Sequence, residues 1–187
     1  LGRKARAAVD NARRAVAGII GSEKEEVYFT SGGTESNNWV LKGINKLFKR
    51  TGKNHIITTA IEHPSIINAC KELEKDGLKV TYLNNFKNGI IEIDEVKKSI
   101  SDSTGLVSIM YANNETGAVQ PVKEVGEICR KNDILFHTDA VQAMGHLKVN
   151  VNNDLIDMMS LSAHKFNGPK GIGALYVRNE IEIESMI

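Results

Sequence analysis

Hydrophobic and polar positions change period along the chain in a way that predicts short strands separated by helices. Apolar residues recur at helical spacing through Arg3–Ile20, and Gly21 follows as a residue that favours the end of a helix. Later helices are predicted from the end of a Ser31–Asn38 turn to about Arg50, and over 64–76, 94–100, 121–131 and 140–144. Compact apolar runs predict strands at Val27–Thr30, His55–Ala60, Leu78–Leu83, Gly105–Met110, Ile134–Thr138, Leu155–Leu161 and Ile172–Val177.

This alternation predicts an α/β fold, with three α/β/α layers around a mixed, mainly parallel sheet. No linker or repeat divides the chain, so we expect one domain over residues 1–187. In such sheets ligands bind at the carboxyl ends of the strands. Unusual polar residues follow several predicted strands and favour a composite site there; they are Gly32–Glu35, His63, Asn114, Asp139 and Lys165.

Composition and charge narrow the classes of function. The 187 residues are 41% hydrophobic and 25% charged, and a net charge of +1 favours neither nucleic acid nor an anionic membrane as a partner. No apolar run approaches the roughly 18 residues needed to span a bilayer. The two cysteines, Cys70 and Cys129, lie in predicted helices without a C-x-x-C pair. We therefore expect a reducing cytoplasm and no disulfide or metal site built on them.

Lys165 lies between the predicted strand Leu155–Leu161 and a loop rich in glycine and proline. We expect burial there to disfavour the charged amine, and the neutral amine is the form that attacks a carbonyl to make a Schiff base. Ser162 and His164 flank this lysine with polar groups suited to an anion. The alternative is a surface lysine in a turn.

A second candidate is the Ser31–Glu35 segment, which lies between a strand and a helix. Gly33 lets the backbone approach a ligand closely, and the first amides of the helix, with the Thr34 hydroxyl, would form an anion site. The segment matches neither the dinucleotide pattern nor the P-loop pattern. A plain helix cap is the alternative.

Asp139 follows a strand, where a carboxylate sheltered from water would pair with a ring nitrogen and keep it protonated. It would also serve as the N-cap of the predicted 140–144 helix, and both roles are compatible. Gln142, three residues further on, would lie on the same side and donate to a ligand oxygen.

His63 follows a strand and precedes Pro64, where an imidazole would stack on an aromatic cofactor, act as an acid or base, or cap the helix. Asn113 and Asn114 would hydrogen-bond a ligand or serve the backbone of their turn. A metal site from His63, His137, His164 and Asp139 is disfavoured, because no pair has the short spacing of common metal motifs.

Together these segments resemble the pyridoxal-phosphate-dependent cysteine desulfurases of the aminotransferase class V group. The resemblance is to the branch that supplies sulfur for iron–sulfur clusters and tRNA thiolation. Ala163 stands where many relatives have glycine. The resembling segments keep the family order over nearly the whole chain: Phe29–Ser36, Glu62–His63, Ala112–Gly117, His137–Gln142 and Ser162–Gly171.

The resemblance implies the fold type I of PLP-dependent transferases and a role for each candidate residue. Lys165 would bind pyridoxal phosphate covalently and later move the Cα proton of the substrate, and Asp139 would pair with the pyridine nitrogen. The resemblance also implies L-cysteine as substrate, a sulfur-acceptor protein and a homodimer. The remaining roles are stacking by His63, a phenolic-oxygen contact by Gln142, a place toward the substrate for Asn114, and phosphate binding by Gly33, Thr34, Ser162 and His164.

The departures from the family are equally specific. The family carries its persulfide cysteine on a loop well beyond the lysine, and no cysteine follows Lys165 here. We expect Cys70 and Cys129 to be structural. The chain is therefore expected to be an incomplete cofactor-binding large domain, without the family's opening segment and its small C-terminal domain, and inactive by itself. The alternatives are a selenocysteine lyase, another class V transaminase, or a non-catalytic fragment.

Overall fold

The computed structural model describes residues 2–84 and 86–186. Six helices are found in this part of the chain: α1 Gly2–Ile20, α2 Gly33–Gly43, α3 Asn45–Thr51, α4 Pro64–Lys75, α5 Ile93–Ser99 and α6 Val122–Lys131. The strands in the same part are β1 Val27–Thr30, β2 His55–Thr59, β3 Lys79–Leu83, β4 Phe86–Lys87, β5 Ile90–Ile91, β6 Thr104–Ser108, β7 Leu135–Asp139, β8 Met158–Ser162 and β9 Gly173–Val177. Short 3₁₀ turns occur at Lys24–Glu26 and Ala163–Lys165.

Within residues 2–84 and 86–186, seven strands form one sheet in the order β1-β9-β8-β7-β6-β2-β3. The strands from β8 to β3 pair in parallel, whereas β9 is antiparallel to both β8 and β1. Strands β4 and β5 pair with each other in a separate hairpin. Consequently β1, β2, β6, β7 and β8 all end at the same edge of the large sheet.

Helices cover both faces of the sheet, because successive strand residues point to opposite sides. Ile56 of β2 packs in the cluster that contains residues of α2, α3 and α4. Its neighbour Ile57 packs in the other cluster, which contains residues of α1, α5 and α6. The prediction of an α/β fold with a mixed, mainly parallel sheet is confirmed.

Three predicted elements differ from the structure. The predicted 140–144 helix is a series of turns, in which the amides of Ala143 and Met144 both bond to the Ala140 carbonyl. The strand predicted from Leu155 begins only at Met158, because Leu155 has a positive φ of 53° that no strand residue adopts. Helix α2 begins at Gly33, earlier than expected, since the Gly32 carbonyl already accepts from the Ser36 amide.

None of the helices among the described residues has both the length and the apolar character needed to cross a membrane.

Two helical glycines should respond oppositely to alanine. A Cβ at Gly126 in α6 would collide with the backbone carbonyl of Asp154, ahead of β8, whereas a Cβ at Gly18 in α1 would meet nothing within 4 Å. We expect Gly126→Ala to lower the free energy of unfolding by about 1–3 kcal/mol through this overlap. Gly18→Ala should raise it by about 0.5–1 kcal/mol through helix propensity. Urea unfolding measures both, and equal effects would contradict the packing described for α6.

Candidate active site

All nine predicted site residues line one cleft at the carboxyl edge of the sheet. The cleft has a volume of about 240 Å³. Its walls come from the segments that follow β1, β2, β6, β7 and β8, as the parallel topology requires. The predicted residues on these walls are Gly33, Thr34, His63, Asn114, Asp139, Gln142, Ser162, His164 and Lys165. Their individual roles remain predictions.

Asp139, at the end of β7, is the buried carboxyl of the cleft wall and is only 7% exposed. One carboxylate oxygen accepts from the Val141 backbone amide at 3.0 Å, and the other accepts from the Asn37 side-chain amide at 2.7 Å. Burial raises the pKa of Asp139, and these two hydrogen bonds oppose the rise. Among the described residues no cation forms an ion pair with Asp139, so a positively charged ligand group would be stabilised beside it.

His63 immediately precedes α4 and is held on one side of its ring. Its Nδ1 accepts from the Ser65 backbone amide at 3.1 Å and lies 2.7 Å from the Ser65 hydroxyl. The capping role is therefore present. The same residue lines the cleft. Capping and a ligand contact are thus compatible at this position, because the cap uses one ring nitrogen and leaves the ring face available.

Backbone amides and polar side chains meet at the end of the cleft near β1 and β8. Helix α2 begins at Gly33, so its first amides have no intrahelical partner and point outward. A Cβ at Gly33 would lie 2.6 Å from Val141 Cγ2 and 3.8 Å from Ser162 Cβ, so only glycine fits without a shift. The Ser162 hydroxyl lies 2.9 Å from His164 Nδ1. This cluster of donors beside a helix N-terminus has the chemistry of a phosphate cradle.

The expectation that Lys165 is buried is wrong. The buried run of β8 ends at Ser162, and Lys165 closes the 3₁₀ turn that continues beyond the sheet edge, where His164 and Lys165 are both exposed. Strand burial does not extend into this turn, because the turn lies above the sheet and not within it. Lys165 nevertheless lines the same cleft as Asp139 and Gly33.

The two asparagines of the loop after β6 have different surroundings. Asn113 is buried, and its side-chain oxygen accepts from the backbone amides of Glu115 and Thr116, both at 2.9 Å. Asn113 therefore builds the loop. Asn114 is exposed and lines the cleft. Gln142, in the turn after β7, also lines the cleft.

Sequence reasoning missed several residues around Asp139. Asn37 and Val141 line the cleft, and Glu62 is buried close behind it. Asn37 lies four residues after Gly33, so helical spacing places both on one face of α2 and was the available signal. Glu62 Oε1 accepts from the Thr59 hydroxyl at 2.7 Å and from the Met110 amide at 2.9 Å. Burial raises the pKa of Glu62 to about 8.

His137 and the cysteines lie outside the cleft. Both ring nitrogens of His137 are within hydrogen-bond distance of hydroxyls, at 2.9 Å from Ser108 and 3.0 Å from Ser160. Burial lowers the pKa of His137 to about 3. Cys70 in α4 and Cys129 in α6 are buried thiols whose pKa is raised by desolvation, to about 12 for Cys70. The described residues contain no cluster of three or more His, Cys, Asp or Glu that would hold a metal ion.

Comparison with known proteins assigns the chain to a family. The family model for aminotransferase class-V matches residues 1–186. The chain belongs to the aminotransferase class-V family.

Members of this family with curated names align with almost all of the chain. Cysteine desulfurase IscS of Clostridium botulinum (strain Kyoto / Type A2) is 50% identical over 184 residues, which are 98% of this chain and 46% of that protein. A probable mitochondrial cysteine desulfurase of Dictyostelium discoideum is 51% identical over 170 residues, which are 91% of this chain and 38% of that protein. The chain thus spans about half the length or less of these relatives.

A solved structure of SspA in complex with cysteine superimposes with a TM-score of 0.95 at 43% identity, over 100% of this chain and 54% of that one. The chain therefore has the fold type I architecture of PLP-dependent transferases, as its family resemblance implied.

Glu62 should make stability depend on pH. Its pKa of about 8 in the folded chain lies above the ordinary value of 4.5. The contribution of this carboxyl to the free energy of unfolding is therefore fully present below pH 4.5 and is lost as pH rises through 8. Between about pH 5 and about pH 8 the free energy of unfolding of the wild type should fall by about 3 kcal/mol more than that of Glu62→Gln, because glutamine does not ionise. Urea unfolding across this range measures the difference. The exposed Glu127→Gln control should follow the wild type, and parallel curves for Glu62→Gln and the wild type would contradict a neutral Glu62.

Proposed function

We propose that the chain is the cofactor-binding part of a pyridoxal-phosphate-dependent cysteine desulfurase. The overall reaction converts L-cysteine to L-alanine and transfers the sulfur to an enzyme thiol, which becomes a persulfide. The observation that carries this proposal is the convergence of nine residues from five strand ends on one cleft beside a buried carboxyl. The curated cysteine desulfurases at about 50% sequence identity support the proposed reaction. The structure of SspA in complex with cysteine supports cysteine as the substrate.

The residues present fit pyridoxal phosphate. Asp139 is buried without an ion pair among the described side chains, and a protonated ring nitrogen would supply the missing positive charge. Gly33 packs against Val141 so tightly that a Cβ would fill the space next to the first amides of α2. A phosphate group suits these amides together with Thr34, Ser162 and His164.

Each remaining residue has a role that its position allows. Pyridoxal phosphate, when bound, supplies an electron sink for the pair released at the substrate α-carbon. Lys165 would hold the cofactor covalently and would take or return the α-proton, His63 would lie against the ring, and Gln142 would donate to the phenolic oxygen. Asn114 would face the substrate side. Because the described structure leaves Lys165 exposed, this role rests on its position in the cleft and not on burial.

The sulfur acceptor lies outside the residues of this cleft. Cys70 and Cys129 are buried in helices with raised pKa values, so neither presents a thiolate to a substrate sulfur. We therefore propose that turnover needs a thiol from elsewhere, and that a sulfur-acceptor protein for iron–sulfur cluster or thionucleoside synthesis receives the persulfide. Reduced, buried cysteines are consistent with a cytoplasmic location, although one relative is named as mitochondrial.

A homodimer is the proposed assembly. An apolar cavity of about 130 Å³ lies beside the lysine turn, and Ile19 and Ile172 on its rim are 65% and 47% exposed. A second copy of the chain would cover such a surface. We expect Ile19→Asp to lower the dimer fraction at least about tenfold in sedimentation velocity, because burying the aspartate charge in the interface would cost free energy. Ile90→Asp, at an exposed isoleucine of β5 away from this cavity, should leave the dimer intact; dissociation by both variants, or by neither, would contradict this interface.

Lys165 should be the residue that carries the cofactor. After pyridoxal phosphate is added and borohydride is used to reduce the linkage, the intact mass of the chain should rise, and peptide mapping should place the addition on Lys165. Lys165→Ala should lose the addition, whereas Lys170→Ala, an exposed lysine in the same loop, should keep it. Attachment at any other lysine would contradict the proposed function. We also expect the chain alone to release no alanine from cysteine, because it presents no accepting thiolate.

A further inference from the structure

Asp139 and His63 are joined by two side chains for which no role has yet been assigned. The Asn37 side-chain amide donates to Asp139 Oδ2 at 2.7 Å and to the Ser65 hydroxyl at 2.9 Å. The Ser65 hydroxyl lies 2.7 Å from His63 Nδ1. A continuous line of hydrogen bonds therefore runs from the end of β7, through α2, to the start of α4.

The direction of each bond follows from the chemistry of its partners. The Ser65 backbone amide can only donate, so His63 Nδ1 is an acceptor and carries no proton. Because this Nδ1 carries no proton, the Ser65 hydroxyl donates its own proton to it, while the hydroxyl oxygen accepts from Asn37. Both amide hydrogens of Asn37 are then used, one toward the carboxylate and one toward Ser65. The neutral ring of His63 is consequently the tautomer with its proton on Nε2.

The connecting residues are protected from water. Asn37 is 1% exposed and Ser65 is 8% exposed. Within the described structure, the side-chain oxygen of Asn37 has no hydrogen-bond partner, so this amide is held by its nitrogen alone. Hydrogen bonds in such a dry environment are stronger than at the surface, and breaking one leaves a partner unsatisfied.

We propose that Asn37 and Ser65 are positioning residues that hold Asp139 and His63 in a fixed relation to each other. The Asn37 amide orients the Asp139 carboxylate, which would meet the ring nitrogen of the cofactor. Through Ser65 it also orients the His63 imidazole, which would lie against the ring. Two contacts to one flat aromatic ligand are thereby set by a single side chain of α2. The inference rests on the proposed function, because the roles of Asp139 and His63 come from it.

Other titratable groups near Asp139 must be followed in any test. Glu62 and His63 come from the segment after β2, and His164 and Lys165 come from the turn after β8. On α2 the neighbour Asn37 is neutral. Residue-specific NMR separates these groups, and a chain of 20.5 kDa is within its range.

The first test needs no cofactor. Carbon-13 titration of the chain should show the Asp139 midpoint about one pH unit higher in Asn37→Ala than in the wild type, because a donor to the ionised form is lost. The matched control is Asn38→Ala, one position along α2, whose side chain donates only to the Thr34 carbonyl among the bonds described. It should leave the midpoint in place. An unchanged midpoint in Asn37→Ala would overturn the proposal.

The second test concerns the hydrogen bond between Ser65 and His63, and it can be carried out even if Asn37→Ala does not fold. Nitrogen-15 shifts of His63 should show an unprotonated Nδ1 in the wild type and in Ser65→Thr, which keeps the hydroxyl. Ser65→Ala should move the Nδ1 shift, while the Asp139 midpoint stays close to that of the wild type. Equal Nδ1 shifts in Ser65→Ala and Ser65→Thr would overturn the link to His63.

Cofactor binding separates this inference from the proposed function. Pyridoxal phosphate should bind Asn37→Ala about tenfold more weakly than the wild type, read from cofactor absorbance, with Asn38→Ala unchanged. If the wild type bound no pyridoxal phosphate, the proposed function would fail while the two NMR tests still decided the geometry. If the wild type bound it and Asn37→Ala bound it equally well, the positioning role would fail and the proposed function would stand.

Discussion

Parallel strand pairing is the constraint on which the cleft depends. Neighbouring parallel strands end at the same edge of a sheet, so the loops after β2, β6, β7 and β8 open into one space. Strand β1 joins this edge from beyond β9, because β9 runs antiparallel to both of its neighbours. A slip of one residue in the pairing of β7 or β8 with its neighbours would turn Asp139 or Ser162 to the opposite face. The register of the sheet therefore specifies the chemistry of the cleft before any ligand is considered.

Two buried carboxyls, Asp139 in the cleft wall and Glu62 behind it, illustrate how the fold tolerates polar groups. Asp139 receives two N–H donors, which favour its ionised form against the effect of burial. Glu62 receives donors on one oxygen only, and burial keeps its pKa at about 8. A protonated Glu62 adds no negative charge to that of Asp139. The two groups differ in their hydrogen bonds more than in their burial, and of the two only Asp139 lines the cleft.

Much of the cleft was predictable because its residues occupy local positions of a recognisable kind. Gly33, His63, Asp139 and Lys165 each follow a short apolar run, and strand ends converge in an α/β sheet. Asn37 was missed because the sequence pattern placed it in the Ser31–Asn38 turn, where an asparagine usually serves the backbone, whereas the structure places it inside α2. Its partner Asp139 is 102 positions away in the chain, so no local pattern reports the contact.

The amino-acid sequence alone determined the alternation of strands and helices, the mainly parallel sheet and the set of residues at its carboxyl edge, because periodicity and turn chemistry are local properties. Only the tertiary structure decided which way those residues face and what they touch. It showed Lys165 exposed on a turn above the sheet, since strand burial stops at Ser162. It also joined Asn37 to Asp139, because packing of α2 against the end of β7 depends on the whole sheet and not on the sequence near either residue.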